Sequence, residues 1–185
     1  MRASIPLAQA YKLLNHGPVT LVSSAHGGRR NVMAAAWAMP LDFTPPKVAV
    51  VIDKGAYTRE LVEGSGEFVL GIPGQALAEA VLAVGSCSGR DGDKFASLGL
   101  SVEAGEKVGA PLVGGCVGWL ECRVLPEARN QQTYDLFLAE VVAAWADERA
   151  FKDGRWRFAD ESLRTLHYVA GGQFFVTGES LTLPA

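Results

Sequence analysis

The chain has 185 residues, a formal net charge of −3 and 49% hydrophobic residues, enough for one domain over residues 1–185 with a sizeable core. That charge lacks the basic excess that sequence-independent nucleic-acid binding needs, and no uninterrupted apolar run reaches bilayer length. Met1 to Pro6 lacks the apolar core of a signal peptide, so a cytoplasmic location is expected.

Three cysteines fit that compartment. If Cys116 and Cys122 share a strand they stand roughly 20 Å apart, far beyond disulfide reach. There is no Cys-x-x-Cys pair and no histidine cluster, so no metal site is expected.

Apolar Leu7, Ala10, Tyr11, Leu13 and Leu14 recur at roughly helical spacing between Pro6 and Asn15. Gly17-Pro18 stops that helix and starts a strand over Pro18–Ala25. His26-Gly27-Gly28-Arg29-Arg30 reads as a turn, followed by a second strand over Val32–Ala38. Asp42-Phe43-Thr44-Pro45-Pro46 reads as a rigid connection, because paired prolines exclude a helix and remove ladder donors. Lys47–Asp53 is β-branched and apolar, hence a strand. A short helix over Arg59–Glu63 is closed by Gly64-Ser65-Gly66, and Glu67–Ile72 is another strand. Pro73-Gly74 begins a helix with Leu77, Ala80, Val81 and Val84 on one face. Gly85–Gly92 is a polar loop, with a short segment around Lys94-Phe95 after it. Strands follow over Cys116–Leu125, Asp135–Trp145, Arg155–Phe158 and Gln173–Thr177. In the first of these Cys116, Gly118, Leu120, Cys122 and Val124 share one side, and Val117, Trp119, Glu121 and Arg123 the other. Roughly seven strands with a few short helices read as one antiparallel barrel, mainly β.

Three stretches carry chemistry. The first is Asn31-Val32-Met33-Ala34-Ala35-Ala36-Trp37. Its small side chains bare a backbone that a flat ligand could approach, between an amide and an indole; the same residues read equally as a closely packed core strand. The second is Lys54-Gly55-Ala56-Tyr57-Thr58, where a strand gives way to a helix. Helix N-termini expose unpaired N–H groups that suit phosphate, although threonine is also an ordinary cap. The third is Ser86-Cys87-Ser88-Gly89-Arg90 with Lys94 beyond it. Hydroxyls, a glycine and a guanidinium fork can wrap one phosphate, unless Asp91 and Asp93 simply pair with the cations. No Gly-x-x-x-x-Gly-Lys-Ser/Thr loop is present, so a monophosphate suits these residues better than a nucleoside triphosphate. Cys87 reads as a loop thiol and His167 as a packed histidine beside Tyr168, each with redox or acid–base use as the rival reading. Without Gly-x-Ser-x-Gly, nucleophilic hydrolysis has no support.

Taken together, Pro18-Val-Thr-Leu-Val, Asn31–Trp37, Thr44-Pro-Pro-Lys-Val-Ala-Val, Lys54–Thr58, Ser88-Gly-Arg-Asp-Gly-Asp-Lys-Phe95 and Gly171–Gly178 form an ordered series. It resembles the flavin reductase-like family of FMN-binding split-barrel proteins, which includes the flavoredoxins. The resemblance implies a six-stranded antiparallel Greek-key split barrel with a few short helices, working as a homodimer with FMN at its interface. It places Asn31, Val32, Met33, Ala34, Ala35 and Trp37 along the isoalloxazine ring. Lys54, Tyr57, Thr58, Ser86, Cys87, Ser88, Gly89, Arg90 and Lys94 would surround the ribityl phosphate. Two departures stand out. Many relatives carry a hydroxyl where this chain has Ala34, and the short-chain flavin reductases carry Gly-Asp-His where it has Gln132-Thr133-Tyr134. The function implied is an NAD(P)H-dependent FMN oxidoreductase that passes electrons to free flavin or a protein acceptor. The missing Gly-Asp-His run favours a flavoredoxin-like carrier reduced by a protein partner. A third possibility is a non-catalytic barrel that binds a phosphorylated ligand.

Overall fold

Two strands consecutive in the chain form opposite edges of the main sheet. In a computed structural model, which describes residues 1–183, the strands are β1 (Arg2–Ser4), β2 (Thr20–His26), β3 (Arg29–Ala35), β4 (Ala38–Phe43), β5 (Pro46–Val51), β6 (Glu67–Pro73) and β7 (Val102–Glu103). After them come β8 (Leu112–Val113), β9 (Cys116–Val124), β10 (Leu136–Asp147), β11 (Phe151–Lys152), β12 (Arg155–Trp156), β13 (Leu166–Ala170) and β14 (Gln173–Val176). The α-helices are α1 (Tyr57–Ser65), α2 (Ala78–Ser86), α3 (Lys94–Ser97) and α4 (Ala128–Tyr134).

The main sheet is antiparallel and runs β3-β2-β6-β9-β10-β5-β4, with β1 beside β10. Only Ala36 and Trp37 join β3 to β4, so the sheet has to curl until the end of one edge strand reaches the start of the other, while the two edges stay unpaired along their lengths. That closure makes the barrel, and the separated β2–β3 and β4–β5 hairpins give it Greek-key order. The sheet holds eight strands where the resemblance implied six. One addition is the three-residue β1. The other is β4, because the strand expected over Val32–Ala38 breaks after Ala35 and resumes in a new direction.

Each face of the sheet carries its own core. Val22, Val50, Phe68, Leu70, Leu120 and Phe137 fill the barrel, with Leu13 and Leu14 plugging one end. Leu21, Val69 and Trp119 point outward and are covered by Val81, Val84 and Phe95 from α2 and α3. Strands β2, β6 and β9 are thus buried on both faces. The alternation expected in Cys116–Leu125 separates two cores from Trp119 onward, whereas Cys116 packs in the outer core and Val117 in the barrel, the reverse of the expected sides, beside a register shift between β6 and β9.

Glu121 sits on the outer face, fully buried. Its carboxylate accepts from the N–H groups of Glu106, Lys107 and Val108 and from Trp145 Nε1. Burial alone would raise its pKa; these four donors outweigh burial and leave it below the ordinary glutamate value.

Helix α1 ends at Gly66, whose φ of 71° is a left-handed cap that glycine adopts without strain. Arg59 anchors this helix to the sheet. Its guanidinium meets Asp135 at 2.6 Å, Glu63 at 2.8 Å and the carbonyl of Gln131 at 2.8 Å.

Several expected elements are corrected. The segment after Pro6 is a 3₁₀ helix over Leu7–Leu13. The expected rigid connection at 42–46 is the tip of the β4–β5 hairpin. The segments 128–134 and 166–170, for which no element was expected, form α4 and β13. Helix α4 is short and exposes its faces, so it lacks an apolar stripe to betray it.

Candidate functional site

Strand β3 is the floor of the site because its outer edge pairs with no other strand among the described residues. In an antiparallel ladder the N–H and C=O of one residue point the same way. The Val32 carbonyl accepts from Lys94 Nζ at 3.1 Å across the open edge. Val32 and, two residues on, Ala34 therefore turn their main-chain groups outward, while Asn31, Met33 and Ala35 bond to β2. Side chains alternate as well: Ala35 packs inside the barrel and Ala34 outside, beneath α2.

Helix α2 is the roof. Lys94 ties roof to floor, since its Nζ also donates to the carbonyl of Val84 at 2.7 Å. Burial lowers the pKa of this lysine.

Between floor and roof lies a cavity of about 340 Å³. It is lined by Asn31, Met33, Ala34, Tyr57, Thr58, Ser86, Cys87, Ser88, Gly89 and Lys94, so ten of the expected site residues converge there. The N-terminus of α1 lines it too, and Ala56 gives that helix no side-chain cap. Asn31 is buried; its Nδ2 donates to Thr58 Oγ1 at 2.9 Å and its Oδ1 has no partner among the described residues. Turning the amide over would let Oδ1 accept from the Thr58 hydroxyl and leave Nδ2 as an unused donor. Gly89 crosses directly over this pair. A Cβ there would collide with the Asn31 amide and come within 2.8 Å of Tyr57 Cδ1, so only glycine permits the approach. Ser86 Oγ donates to Leu82 O at 2.8 Å, Cys87 Sγ to Ala83 O at 3.3 Å, and Ser88 Oγ accepts from Arg90 N at 3.2 Å. Hydroxyls, an ammonium, an unpartnered amide and a helix N-terminus make this end suited to one anion.

A second cavity of about 230 Å³ shares Ala34, Gly85 and Ser86 with the first. Val19, Ala36, Val81, Leu82, Tyr168 and Phe174 complete its lining, which suits a flat apolar group. Tyr168 and Phe174 meet edge to face at 5.2 Å. They belong to the β13–β14 hairpin, which was not expected to contribute. Its signal was present: a Gly171-Gly172 turn between two β-rich runs.

The hairpin is fastened by a chain of side chains. His16 Nε2 meets Thr165 Oγ1 at 2.8 Å, Thr165 meets Thr177 at 2.6 Å, and His167 Nε2 meets Thr177 Oγ1 at 3.0 Å. His16 Nδ1 is buried without a partner among the described residues. Burial first, and the neighbouring His167 second, push the His16 pKa down to about 4.

Five expected residues lie outside these cavities. Val32 contributes its carbonyl but buries its side chain, and Ala35 faces the core. Trp37 is 75% exposed beyond the break in the strand. Lys54 turns away to Asp135 at 3.8 Å. Arg90 lines an adjoining groove, donating to Gly55 O at 2.9 Å and pairing with Glu60. Among the described residues no cluster of histidine, cysteine or acid could hold a metal ion, and no helix is long and apolar enough to cross a membrane.

Comparison with known proteins agrees with this geometry. The chain is 49% identical over 181 residues to the uncharacterized protein YddH of Escherichia coli (strain K12), covering 96% of each. It superposes with a TM-score of 0.96 on the FMN-binding domain of a flavin reductases-like enzyme from Shewanella baltica OS155, at 46% identity, covering 100% of this chain and 98% of that one. The flavoredoxin of Desulfovibrio vulgaris (Miyazaki F) follows the same fold with a TM-score of 0.79, 29% identity and 90% of each chain covered. Residues 14–174 match the flavin reductase like domain, and the chain therefore belongs to the flavin reductase-like family.

Proposed function

We propose that this chain binds FMN in the paired cavities and acts as an NAD(P)H-dependent oxidoreductase, passing electrons to free flavin or to a protein acceptor. The observation that carries the reading is the junction of an anion-suited cavity and an apolar one at Ala34, Gly85 and Ser86. An amphipathic ligand with a phosphate at one end and a planar ring at the other matches that layout. The unpartnered Asn31 amide and the glycine-only approach of Gly89 support the same ligand, since both are costly features that a purely structural loop would not need.

When bound, FMN supplies the redox chemistry. The chain's part is to bind, orient and shield. Ser86, Ser88, Lys94 and the first turn of α1 would hold the phosphate. Ala34 would offer main-chain groups to the ring edge and, lacking a hydroxyl, no side-chain donor. Tyr168 and Phe174 would wall the ring end from water. No side chain is assigned covalent catalysis.

The working unit is proposed to be a homodimer. Trp37, just before β4, and Met39, Leu41 and Phe43 within it are all exposed, an apolar row that a second copy would cover. Free Cys87, Cys116 and Cys122 accord with a cytoplasmic setting.

An absorption spectrum of the purified protein, followed by anaerobic mixing with NADH and NADPH, tests the reading. Flavin absorbance that bleaches with either donor is expected; flavin that neither donor bleaches would sink the reductase assignment. Helix α4 motivates a second reading. Gln132-Thr133-Tyr134 brings no histidine to this position and leaves Tyr134 exposed, which favours a flavoredoxin-like carrier. Bleaching by a reduced ferredoxin-type donor alone would select it. Colourless protein that takes up no added FMN would leave a non-catalytic phosphorylated-ligand barrel.

A further inference from the structure

We propose that His16, Thr165, Thr177 and His167 form an oriented hydrogen-bond chain that holds the β13–β14 hairpin against the ring end of the pocket, which makes His167 a positioning residue for access to the flavin. This rests on the flavin reading above. The hairpin forms a sheet of its own among the described residues, and two strands alone are only marginally stable in water. Its main-chain ties to the barrel lie at its base. The Val19 N–H donates to Leu166 O and the Gln75 N–H to Arg164 O, each at 2.8 Å, and Thr165 bridges to Gly74. Beyond the base, Phe174 leans on the outer core and Tyr168 leans on Phe174. These two side chains wall the ring end, so whatever steadies the hairpin sets how open that end is.

The register divides the hairpin into a working face and a fastened face. Tyr168 lies opposite Phe174, and both share a face with Leu166. Thr165 and His167 fall on the other face, where Thr177 continues β14 and its N–H donates to Thr165 O at 2.9 Å. His16 reaches this face from the turn before β2. Its ring meets those of His167 and Trp156 edge to face, at 5.6 and 5.1 Å.

One carbonyl fixes the direction of the whole chain. The Gly17 oxygen can only accept, so the hydrogen of neutral His167 is on Nδ1, 3.0 Å away. Its Nε2 then accepts from the Thr177 hydroxyl at 3.0 Å, Thr177 accepts from Thr165 at 2.6 Å, and Thr165 accepts from His16 Nε2 at 2.8 Å. His16 is left with a bare lone pair on Nδ1, which needs no donor partner to stay neutral. Running the chain the other way would put a hydrogen on that buried nitrogen, and a buried N–H with nothing to accept it is the costlier defect. The orientation is thus locked from both ends.

Two measurements test the proposal. Nitrogen-15 NMR of the full chain, which holds three histidines, reads the tautomers. The Nε2–H form is expected for His16 and the Nδ1–H form for His167; the opposite form at either would overturn the chain. Stopped-flow bleaching of bound FMN by dithionite reads access to the ring, for the parent protein, His167→Leu, His167→Gln and Thr177→Val. Leucine removes both contacts of His167 and valine cuts the chain at its middle, so each should quicken bleaching about fivefold, as for one net hydrogen bond lost. Glutamine offers an oxygen to Thr177 and an N–H to Gly17, and should return the rate to within about twofold of the parent. A lower Tm in His167→Leu and Thr177→Val with unchanged bleaching would overturn the proposal, because the chain would then fasten the hairpin without bearing on the ring. Bleaching as fast in His167→Gln as in His167→Leu would overturn it too. Parent protein that takes up no FMN would refute the flavin reading and this proposal with it, whereas FMN uptake with unchanged access overturns this proposal alone.

Discussion

Lys94 offers the sharpest test of the site because one side chain both holds the anion-suited cavity together and charges it. Its Nζ bridges the Val32 carbonyl on the floor, at 3.1 Å, and the Val84 carbonyl on the roof, at 2.7 Å. Lys94→Met keeps the length of the side chain and removes every donor. Two buried carbonyls then lose their partner, at about 1–3 kcal/mol each. Part of this is returned, because burial disfavours the ammonium and its removal relieves that cost. A net loss of about 2–3 kcal/mol follows, or a Tm lower by roughly 4–10 °C for a domain of this size. If the third N–H of Lys94 also faces the FMN phosphate, affinity falls about 10- to 100-fold. Scanning calorimetry and FMN titration read the two effects separately. A Tm within about 1 °C of the parent, together with unchanged FMN affinity, would refute the bridging argument and remove Lys94 from the site. Lys94 also sets a pH signature. Its pKa is lowered in the folded chain, so the folded state sheds this proton first. Stability from this group therefore rises as pH climbs toward the ordinary lysine value.

Further outcomes are expected elsewhere. Ala34→Phe would fill the cavity of about 230 Å³ at the ring end and should weaken FMN at least about tenfold, while inorganic phosphate still competes at the other end. Glu121→Gln puts an amide N–H₂ against two of the four donors that the carboxylate now accepts; thermal denaturation should show a loss of about 2–4 kcal/mol. Because the Glu121 carboxyl is lowered, its contribution is present above the ordinary glutamate value and is lost as pH falls through the folded one. His16 is pushed down to about 4, so between about pH 6.5 and 4 the unfolded chain takes a proton that the folded chain refuses. Stability should drop across that window by up to about 3 kcal/mol, and a His16→Phe variant should show a flatter curve in a pH series of melts.

Much of the fold was legible because its strands carry strong local signals. Lys47–Asp53 and Glu67–Ile72 are apolar and partly β-branched between their charged ends, and both are strands within a residue or two of the expected bounds. The Cys116–Leu125 alternation holds from Trp119 onward but not at Cys116 and Val117, where a register shift exchanges the sides, and its meaning depended on tertiary context. A half-buried strand and a strand between two cores differ by what covers the second face, here α2, α3 and the loop that Glu121 pins. A glutamate on that face reads as solvent-facing until the three backbone N–H groups from residues 106–108 are seen around it. Hairpin β13–β14 had its Gly-Gly turn in plain view. Its contribution to the ring end was hidden because it comes to line one cavity with Ala34 across more than 130 residues of chain.

The anion end was the more readable half of the site. Charge and hydroxyl chemistry there is carried by side chains, and Thr58, Ser86, Ser88 and Lys94 do come together. Even so, composition could not say which cation goes where. Lys54 and Lys94 look alike in sequence, yet Asp135 draws the first aside while two carbonyls hold the second. The ring end is harder for a reason intrinsic to strands. A one-residue shift of register exchanges the two faces, and three successive alanines carry no alternation to choose between them. Pairing with β2 decides it: Thr20 opposite Ala35 and Leu21 opposite Ala34 send the first alanine out beneath α2 and the second into the barrel. The break after Ala35 then carries Trp37 off the floor altogether. A bulky residue at position 35 is thus a test of the core, and only position 34 tests the ring.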